Sequence, residues 1–438
     1  MTSMETLVAL CKTRGFIYPG SHIYGGLANS WDYGPLGVEL KNNIKQAWWK
    51  RFVQGRLDMV GLDAALMMNP SVWEASGHLE HFTDPLVECR ICHERYRADQ
   101  IDLTAPCQKC GAKGQLTDPA SFNMMFKTFM GAKEEGANVV YLRPETAQAM
   151  FVDFPQILQT TRKRLPFGVA QIGKAFRNEI TPGNFIFRTR EFEQMEIEYY
   201  VRPEAWKEAF EMWLHEMHEW LRFCGVKDGE VADYEQKPEE RAHYSDRTVD
   251  IEYEYPFGRK ELYGLAYRTD HDLKKHAEHS KADMNYTDPT TGEKFIPHVI
   301  EPSFGVDRTV LAVLLSAYTV EEAPTGDGGV DTRVVLKIPR ALAPIKIAIL
   351  PLSKKPELQS KAQEIALALA KHYRVEYDET QSIGKRYRRQ DEIGTPYCLT
   401  VDFESLNDQA VTVRDRDTMK QERIAIGELE KYFHSLFA

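Results

Sequence analysis

Two arginines, a glutamate and a phenylalanine recur at fixed offsets in Lys174-Ala-Phe-Arg-Asn-Glu179 and Arg188-Thr-Arg-Glu-Phe192, either side of a polar Thr-Pro-Gly-Asn turn. On two strands joined by that loop they would share one surface. Such a surface suits a nucleotide: guanidinium groups offer planar forks to phosphate, a carboxylate accepts from a base amino group, and a ring face stacks. A surface salt-bridge ladder would use the same residue types, and these residues alone leave both open. A second piece, Val299-Ile-Glu-Pro-Ser-Phe-Gly-Val-Asp-Arg308, reads as a strand turning into a helix over Thr309–Tyr318. Arg308 falls at the helix start, where free backbone N–H groups favour anions. A structural strand–helix corner is the other reading, and Gly305 serves either.

Cys89-Arg-Ile-Cys92 and Cys107-Gln-Lys-Cys110 form two pairs separated by 14 residues. Two thiolate knuckles at this spacing can close a tetrahedral structural zinc site, and Gly111 suits the tight turn after the second knuckle. Unliganded thiols are the alternative. The N-terminal stretch carries Glu5 and only a brief apolar run, so it does not read as a signal peptide and disulfides are not expected. Cys11, Cys224 and Cys398 stand alone and read as core residues.

These residues need elements to position them. Pro35 reads as the first residue of a helix running to Gln54 and stopped at Gly55. A strand-like run, Ala64–Met68, follows and is closed by Pro70. A second amphipathic helix is expected over Glu204–Phe223, with Trp206, Phe210, Trp213, Met217 and Trp220 on its apolar stripe. Alternating runs at Val169–Ile172, Phe185–Phe187, Glu193–Val201 and Val249–Tyr255 predict strands with few helices between them, hence an antiparallel sheet. A Gly326-Asp-Gly-Gly turn and Val334–Ile338 read as a domain exit. Beyond it, Ile345–Leu350, Leu358–His372, Arg374–Tyr377 and Tyr397–Val401 alternate strand, helix, strand, strand in α/β fashion.

The 438 residues carry a net charge of −10, which on its face argues against a nucleic-acid partner. The charge is uneven: residues 204–254 hold a balance of −9, and residues 341–438 balance at zero. Inside that neutral tail lies a basic run, Lys385, Arg386, Arg388 and Arg389, whose bland reading is a solvated face. Composition excludes a disordered or fibrous chain. The best apolar run, Thr309–Tyr318, falls short of the roughly 18 residues of a membrane span. A cytoplasmic enzyme with no membrane partner is the expectation.

Phe176-Arg-Asn-Glu179 with Arg188…Phe192 resembles motif 2 of the class II aminoacyl-tRNA synthetases, and Gly305…Arg308 looks like their motif 3. The Pro35–Gln54 helix with the strand ending at Pro70 is similar to motif 1. Within that class the chain resembles the dimeric glycyl-tRNA synthetase family over essentially its whole length. The resemblance rests on Gly25-Gly-Leu-Ala-Asn-Ser-Trp-Asp-Tyr-Gly-Pro-Leu-Gly37, Leu142-Arg-Pro-Glu-Thr-Ala-Gln148, Phe192-Glu-Gln-Met-Glu-Ile-Glu198 and Glu301-Pro-Ser-Phe-Gly305. It departs at Ala149-Met150, where the family often has Gly after Gln, and at Tyr267, where Asp or Ser often precedes the Arg.

The resemblance implies an α+β catalytic domain over 1–338, built on a mixed, mostly antiparallel sheet. A Cys-rich, zinc-ribbon-like insertion at 86–116 and an acidic, partly helical insertion at 204–254 would interrupt it, and an α/β anticodon-binding domain would follow over 339–438. The implied activity is ATP-dependent activation of glycine to glycyl-adenylate and transfer to the 3′ end of tRNA(Gly). Arg177 would contact the α-phosphate and, with Arg308, be catalytic. Glu179 would read the adenine amino group, Phe192 would stack on adenine, and Arg188 and Arg308 would hold the outer phosphates. Asn178, Phe187, Thr189, Arg190 and Glu191 belong to the same ATP-binding stretch, with Glu261, Leu262, Gly305, Val306 and Asp307 lining it. Glu145, Glu196 and Glu301, with Ser303, would surround the glycine ammonium. Glu193, Gln194, Met195, Pro302 and Phe304, flanked by Phe192 and Gly305, complete the glycine-binding segments, and Arg97 would contact substrate. ATP with Mg²⁺ and a structural Zn²⁺ on the four cysteines are the implied cofactors. A homodimer through motif 1 is expected, and Lys385–Arg389 becomes a candidate tRNA phosphate contact.

Overall fold

Pro35 at the first helical position and the stripe of Leu40, Ile44 and Trp48 make helix α1 (Pro35–Trp49), which continues as a π-helical turn over Lys50–Gln54. The structure is a computed structural model that describes residues 2–131, 139–324 and 329–437. Most of the expected Gly326-Asp-Gly-Gly turn therefore lies outside the described residues.

A seven-stranded sheet positions the chemistry. Its strands are β1 (Met59–Gly61), β2 (Phe167–Phe176), β3 (Glu191–Val201), β4 (Val231–Glu235), β5 (Arg247–Tyr255), β6 (Gly258–Thr269) and β7 (His298–Gly305). They lie in the order β4-β5-β6-β7-β3-β2-β1, and every pairing is antiparallel except β1 with β2. Helix α2 (Ala147–Val152) precedes β2, and α3 (Trp206–Phe223) follows β3. Helix α4 (His271–Ser280) follows β6, and α5 (Val306–Ala317) continues directly from β7. Period-two alternation divides β3 and β7 between two faces. Met195, Ile197 and Phe304 sink into an apolar core with Trp48, Trp213 and Leu311 from α1, α3 and α5. Phe192, Gln194, Glu196, Glu301 and Ser303 face the other way.

Residues 204–254 supply α3, the edge strand β4 and its neighbour β5, so the acidic segment contributes to this sheet. Three expected elements differ. Ala64–Met68 forms no strand beyond one bridge between Met67 and Leu142, and β1 lies just before it. The reason is that side chains take the backbone groups there: Ala64 N–H donates to Gln171 Oε1 at 2.7 Å and Arg143 Nη1 donates to Ala64 O at 2.9 Å. Pro70 then opens a short helix, Pro70–Ala75. Phe185–Phe187 is a 3₁₀ turn, because Asn184 and Phe185 both take positive φ (55° and 62°), which ends an extended run. Helix α5 begins three residues earlier than expected, placing Arg308 in its first turn.

A hairpin of β8 (Tyr318–Pro324) and β9 (Val330–Leu336) leads to a second core. Its sheet comprises β10 (Ile347–Pro351), β11 (Val375–Tyr377), β12 (Tyr397–Val401), β13 (Ala410–Asp415) and β14 (Gln421–Ala425) in the order β11-β10-β12-β13-β14. Helices α6 (Pro356–Leu369), α7 (Ile383–Ile393) and α8 (Leu429–Phe437) complete it. The β10 pairings to β11 and β12 are parallel and the rest antiparallel, as an α/β unit with an added hairpin requires.

Candidate active site

The polar face of β2, β3, β6 and β7 opens on a cavity of about 860 Å³. One half is cationic and aromatic. Arg177 directly follows β2; its Nε donates to Pro144 O at 3.0 Å, and its guanidinium lies 5.3 Å from the Phe192 ring centre and 5.4 Å from that of Phe82. Arg308 stacks at 4.5 Å on Phe187 and donates to Glu261 O at 2.9 Å. Its charge also holds the Glu261 carboxyl below its ordinary value. Arg188 stands 3.8 Å from Glu179. Glu179 Oε2 is buried and accepts no hydrogen bond, a vacancy that an amino group of a base would satisfy. Asp250, on β5, faces Glu261 across Gly264; a Cβ added there would stand 3.9 Å from a carboxylate oxygen of each. Burial and then Glu261 push Asp250 up to about 6. Glu261 also meets Arg308 Nη1 at 3.2 Å, and the two carboxylates offer the hard oxygen donors that suit Mg²⁺.

The other half is a nest of buried carboxyls. Glu196, 3% exposed, accepts from Thr146 N–H at 3.0 Å, Gln194 Nε2 at 2.7 Å and Ser303 Oγ at 2.8 Å. Burial, then Glu145, raises it. Glu301 accepts from Arg268 Nη1 at 2.7 Å, yet burial, together with Glu196 and Glu145, pushes it up to about 8. Burial would raise Glu145 as well, but His78, at 3.5 Å, with Arg268 and Gln148 holds it below its ordinary value. Arg143, 1% exposed, secures the loop carrying Glu145 by donating to Lys174 O and Ala64 O. Gly173 makes room for it, since a Cβ there would stand 2.1 Å from Arg143 Nη2. Three acidic groups around one small space are a receptor for a cation that brings its own hydrogen-bond donors.

Residues 128–318 match the tRNA synthetase class II core domain (G, H, P, S and T), and residues 346–436 match the anticodon binding domain. The glycine–tRNA ligase of Acetivibrio thermocellus is 55% identical, covering 99% of this chain and 98% of the relative. That of Clostridium perfringens is 55% identical over 98% and 97%, and that of Geobacillus thermodenitrificans 53% over 100% and 98%. The chain belongs to the glycine–tRNA ligase family.

Not every residue that the family resemblance implied reaches the cavity. Met195, Phe304 and Val306 are fully buried in the core on the opposite face, and Pro302, buried within β7, does not line the cavity. Glu193 and Asp307 border the cavity, but their carboxylates are engaged elsewhere. Glu193 meets Lys41 at 2.9 Å and Lys45 at 3.0 Å; Asp307 accepts from Tyr33, Lys41 and the Glu193 N–H. Asn178, Arg190 and Glu191 line a neighbouring cavity of about 710 Å³, where Glu191 pairs with Lys174. Thr189, Leu262, Gly305 and Gln194 line the main cavity. So does Arg97, fixed by Asp84 at 2.8 Å. Sequence reasoning missed Asp250, Arg268, Asp272 and Gln148. Arg268 and Asp272 were within reach as an i,i+4 ion pair across a strand–helix junction.

The four cysteine sulfurs of the expected knuckles all lie within 4.8 Å of one another. Cys89 and Cys110 Sγ are 3.7 Å apart, Cys92 and Cys107 Sγ 3.6 Å. Sulfurs at about 2.3 Å from a central Zn²⁺ stand about 3.8 Å apart in a tetrahedron, so the donor set and its spacing fit zinc. In the second domain the basic run sits on α7 but does not form a stripe of free cations. Arg386, 2% exposed, donates to Pro351 O at 2.7 Å and Asp378 O at 3.0 Å, closing backbone carbonyls inside the fold. Arg389 is engaged by Asp378 and Thr380, and Arg388 lies 3.6 Å from Asp331. Lys385 is exposed.

Proposed function

We propose that the chain is a glycine–tRNA ligase: it activates glycine with ATP, releasing pyrophosphate, and passes the glycyl group to the 3′-terminal adenosine of tRNA(Gly). One observation carries the reading. A single cavity sets Arg177, Arg308 and a Glu179 oxygen that accepts no hydrogen bond beside the buried carboxyls of Glu145, Glu196 and Glu301. A nucleotide and an amino-acid ammonium would then lie side by side.

In the first step a glycine carboxylate oxygen bonds to the α-phosphorus while the bond to pyrophosphate breaks. The nucleophile is already ionised, so no general base is required. What the protein supplies is position and charge: Arg177 toward the α-phosphate, Arg188 and Arg308 toward the outer phosphates, Phe192 toward the adenine face. Glu261 and Asp250 would hold Mg²⁺, which would supply neutralisation of phosphate charge. Glycine selection is steric, since a pocket too small for a Cβ rejects every larger side chain without an editing site.

Residues 1–338 act as the catalytic domain and 339–438 as the anticodon-binding domain, with structural zinc on Cys89, Cys92, Cys107 and Cys110. Two copies pair through α1 and the segment after it; the exposed apolar side chains of Val38 on α1 and of Leu57, Leu66 and Met67 after it support this. The seven free cysteines support a reducing, cytoplasmic setting. The test is ATP–pyrophosphate exchange driven by each amino acid in turn. Glycine alone should support it, and Arg177→Ala should lower it by at least about 100-fold with an unchanged melting temperature. Exchange driven best by another amino acid, or near-normal exchange in the variant, overturns the reading.

A further inference from the structure

We propose that Asp272 is a positioning residue for the ammonium cage, one buried carboxylate that holds both Glu145 and Glu301 and settles the charge of Arg268. The inference rests on the glycine reading above. Asp272 lies in the first turn of α4 and is 4% exposed. Arg268 donates to it twice, from Nε at 2.8 Å and Nη2 at 2.9 Å, and turns its remaining Nη1 to Glu301 at 2.7 Å. Gln148 Nε2 donates at 3.0 Å both to Asp272 Oδ1 and to Glu145 Oε1. His276 Nε2 donates to Gln148 Oε1 at 2.9 Å, which fixes the sense of the amide. Two cage carboxyls, one on β7 and one on the loop before α2, are thereby tied to one residue that does not line the cavity.

The charge count explains why a carboxylate is needed. A guanidinium alone against Glu301 would neutralise it and leave the cage one charge short. With Asp272 taking a bidentate share, Arg268 is balanced, and the charge Glu301 takes on ionising is left for the ammonium. The other groups facing this centre do not replace Asp272. Glu196 is engaged by Thr146, Gln194 and Ser303. Glu198 is fully buried with neither oxygen hydrogen-bonded, and burial and then Glu301 raise it well above its ordinary value. His276 is held neutral by burial, its value down to about 4. Tyr244 lies 3.8 Å over the Arg268 guanidinium, and burial keeps both it and Tyr200 from ionising.

The test uses the full chain and glycine-dependent ATP–pyrophosphate exchange. Asp272→Asn keeps the volume and removes the charge. Its glycine KM should rise about tenfold or more, with ATP KM and kcat within about twofold, because a buried partner is lost at the cage alone. The ionisation that governs glycine kcat/KM should also move to lower pH, since Arg268 then acts undivided on Glu301. Gln148→Met cuts the Glu145 arm and leaves Arg268 untouched; it carries the test if Asp272→Asn does not fold. It too should raise glycine KM selectively, and the double variant should lose less than the product of the single effects. A parallel rise in ATP KM, an unchanged glycine KM in both variants, or multiplicative losses would overturn the proposal. A wild-type chain inactive with glycine refutes both proposals, whereas an active wild type with an insensitive Asp272→Asn refutes this one alone.

Discussion

At the residue scale, the cage carboxyls carry a pH dependence whose sign is fixed by Glu301. Its value rises from 4.5 to about 8 in the empty pocket, because burial, Glu196 and Glu145 all disfavour its charge. The folded chain thus binds more protons than the unfolded chain between those values. This group's stabilising contribution is complete below 4.5 and declines as pH rises through about 8. Glycine, whose ammonium stays charged across the window, prefers the ionised form. Glycine affinity should therefore rise as pH climbs toward 8, with proton release on binding, while the melting temperature of the free protein falls and added glycine restores it. Calorimetry in buffers of different ionisation heat reads the proton count. A pH-independent affinity between about 6 and 8 would show that Glu301 is already ionised in the empty pocket. Glu301→Gln should weaken glycine binding and remove the pH dependence.

At the element scale, the three-stranded sheet Thr83–Glu88, Arg95–Arg97 and Ala120–Asn123 links the cysteine knuckles to the cavity, because Asp84 and Arg97 both lie on it and line the site. So small a unit has few apolar contacts of its own, Val87, Tyr96 and two of the cysteines forming its core. Chelation should therefore loosen Arg97, raise substrate KM and leave the second domain folded; one zinc per chain by metal analysis, halved or lost in Cys107→Ser, checks the assignment. On α7, Arg386→Ala should destabilise the second domain, whereas Lys385→Glu should weaken tRNA charging and spare exchange. Equal loss of both activities in Lys385→Glu would remove the helix from the tRNA path. What sequence could show follows the same division. The Arg177–Phe192 hairpin was legible because its chemistry is contiguous and its strands alternate. The arginines of α7 misled because a run of charges looks solvated until burial is known, and Arg386 closes carbonyls. Phe185–Phe187 has strand-like residues but left-handed backbone at Asn184. Arg268 and Asp272 left an i,i+4 spacing in the chain, but their meeting with Gln148 joins three separate elements, and no spacing encodes that.

At the scale of the whole molecule, the net charge of −10 says little about tRNA, since the acidic excess sits in α3, β4 and β5 and the second domain is neutral. The joint between the two cores matters more. Asp391 on α7, 1% exposed, accepts from Arg333 of β9 at 3.0 Å and from Arg414 of β13 at 2.8 and 3.1 Å. Arg333 also donates to Arg416 O at 3.0 Å, and Arg416 to Ile338 O at 2.9 Å and Gly394 O at 2.7 Å. One carboxylate thus ties the hairpin that leaves the catalytic sheet to the helix and sheet of the second domain. Removing it strands the buried guanidinium of Arg414 and leaves Arg333 only Glu321 and the Arg416 carbonyl, a loss of about 3 kcal/mol. Because that cost falls at the joint and not in either core, Asp391→Asn should move the unfolding transitions of the two cores apart. Exchange, which needs only the cavity, should stay near wild type, and tRNA charging, which needs the anticodon domain held at a fixed distance from the cavity, should fall further. Denaturation followed by fluorescence of the tryptophans, all of which lie in residues 31–220, and by far-ultraviolet dichroism of the whole chain separates the outcomes. Coincident transitions with equal loss of exchange and charging would show that the ion pairs serve general stability and not the register of the two domains.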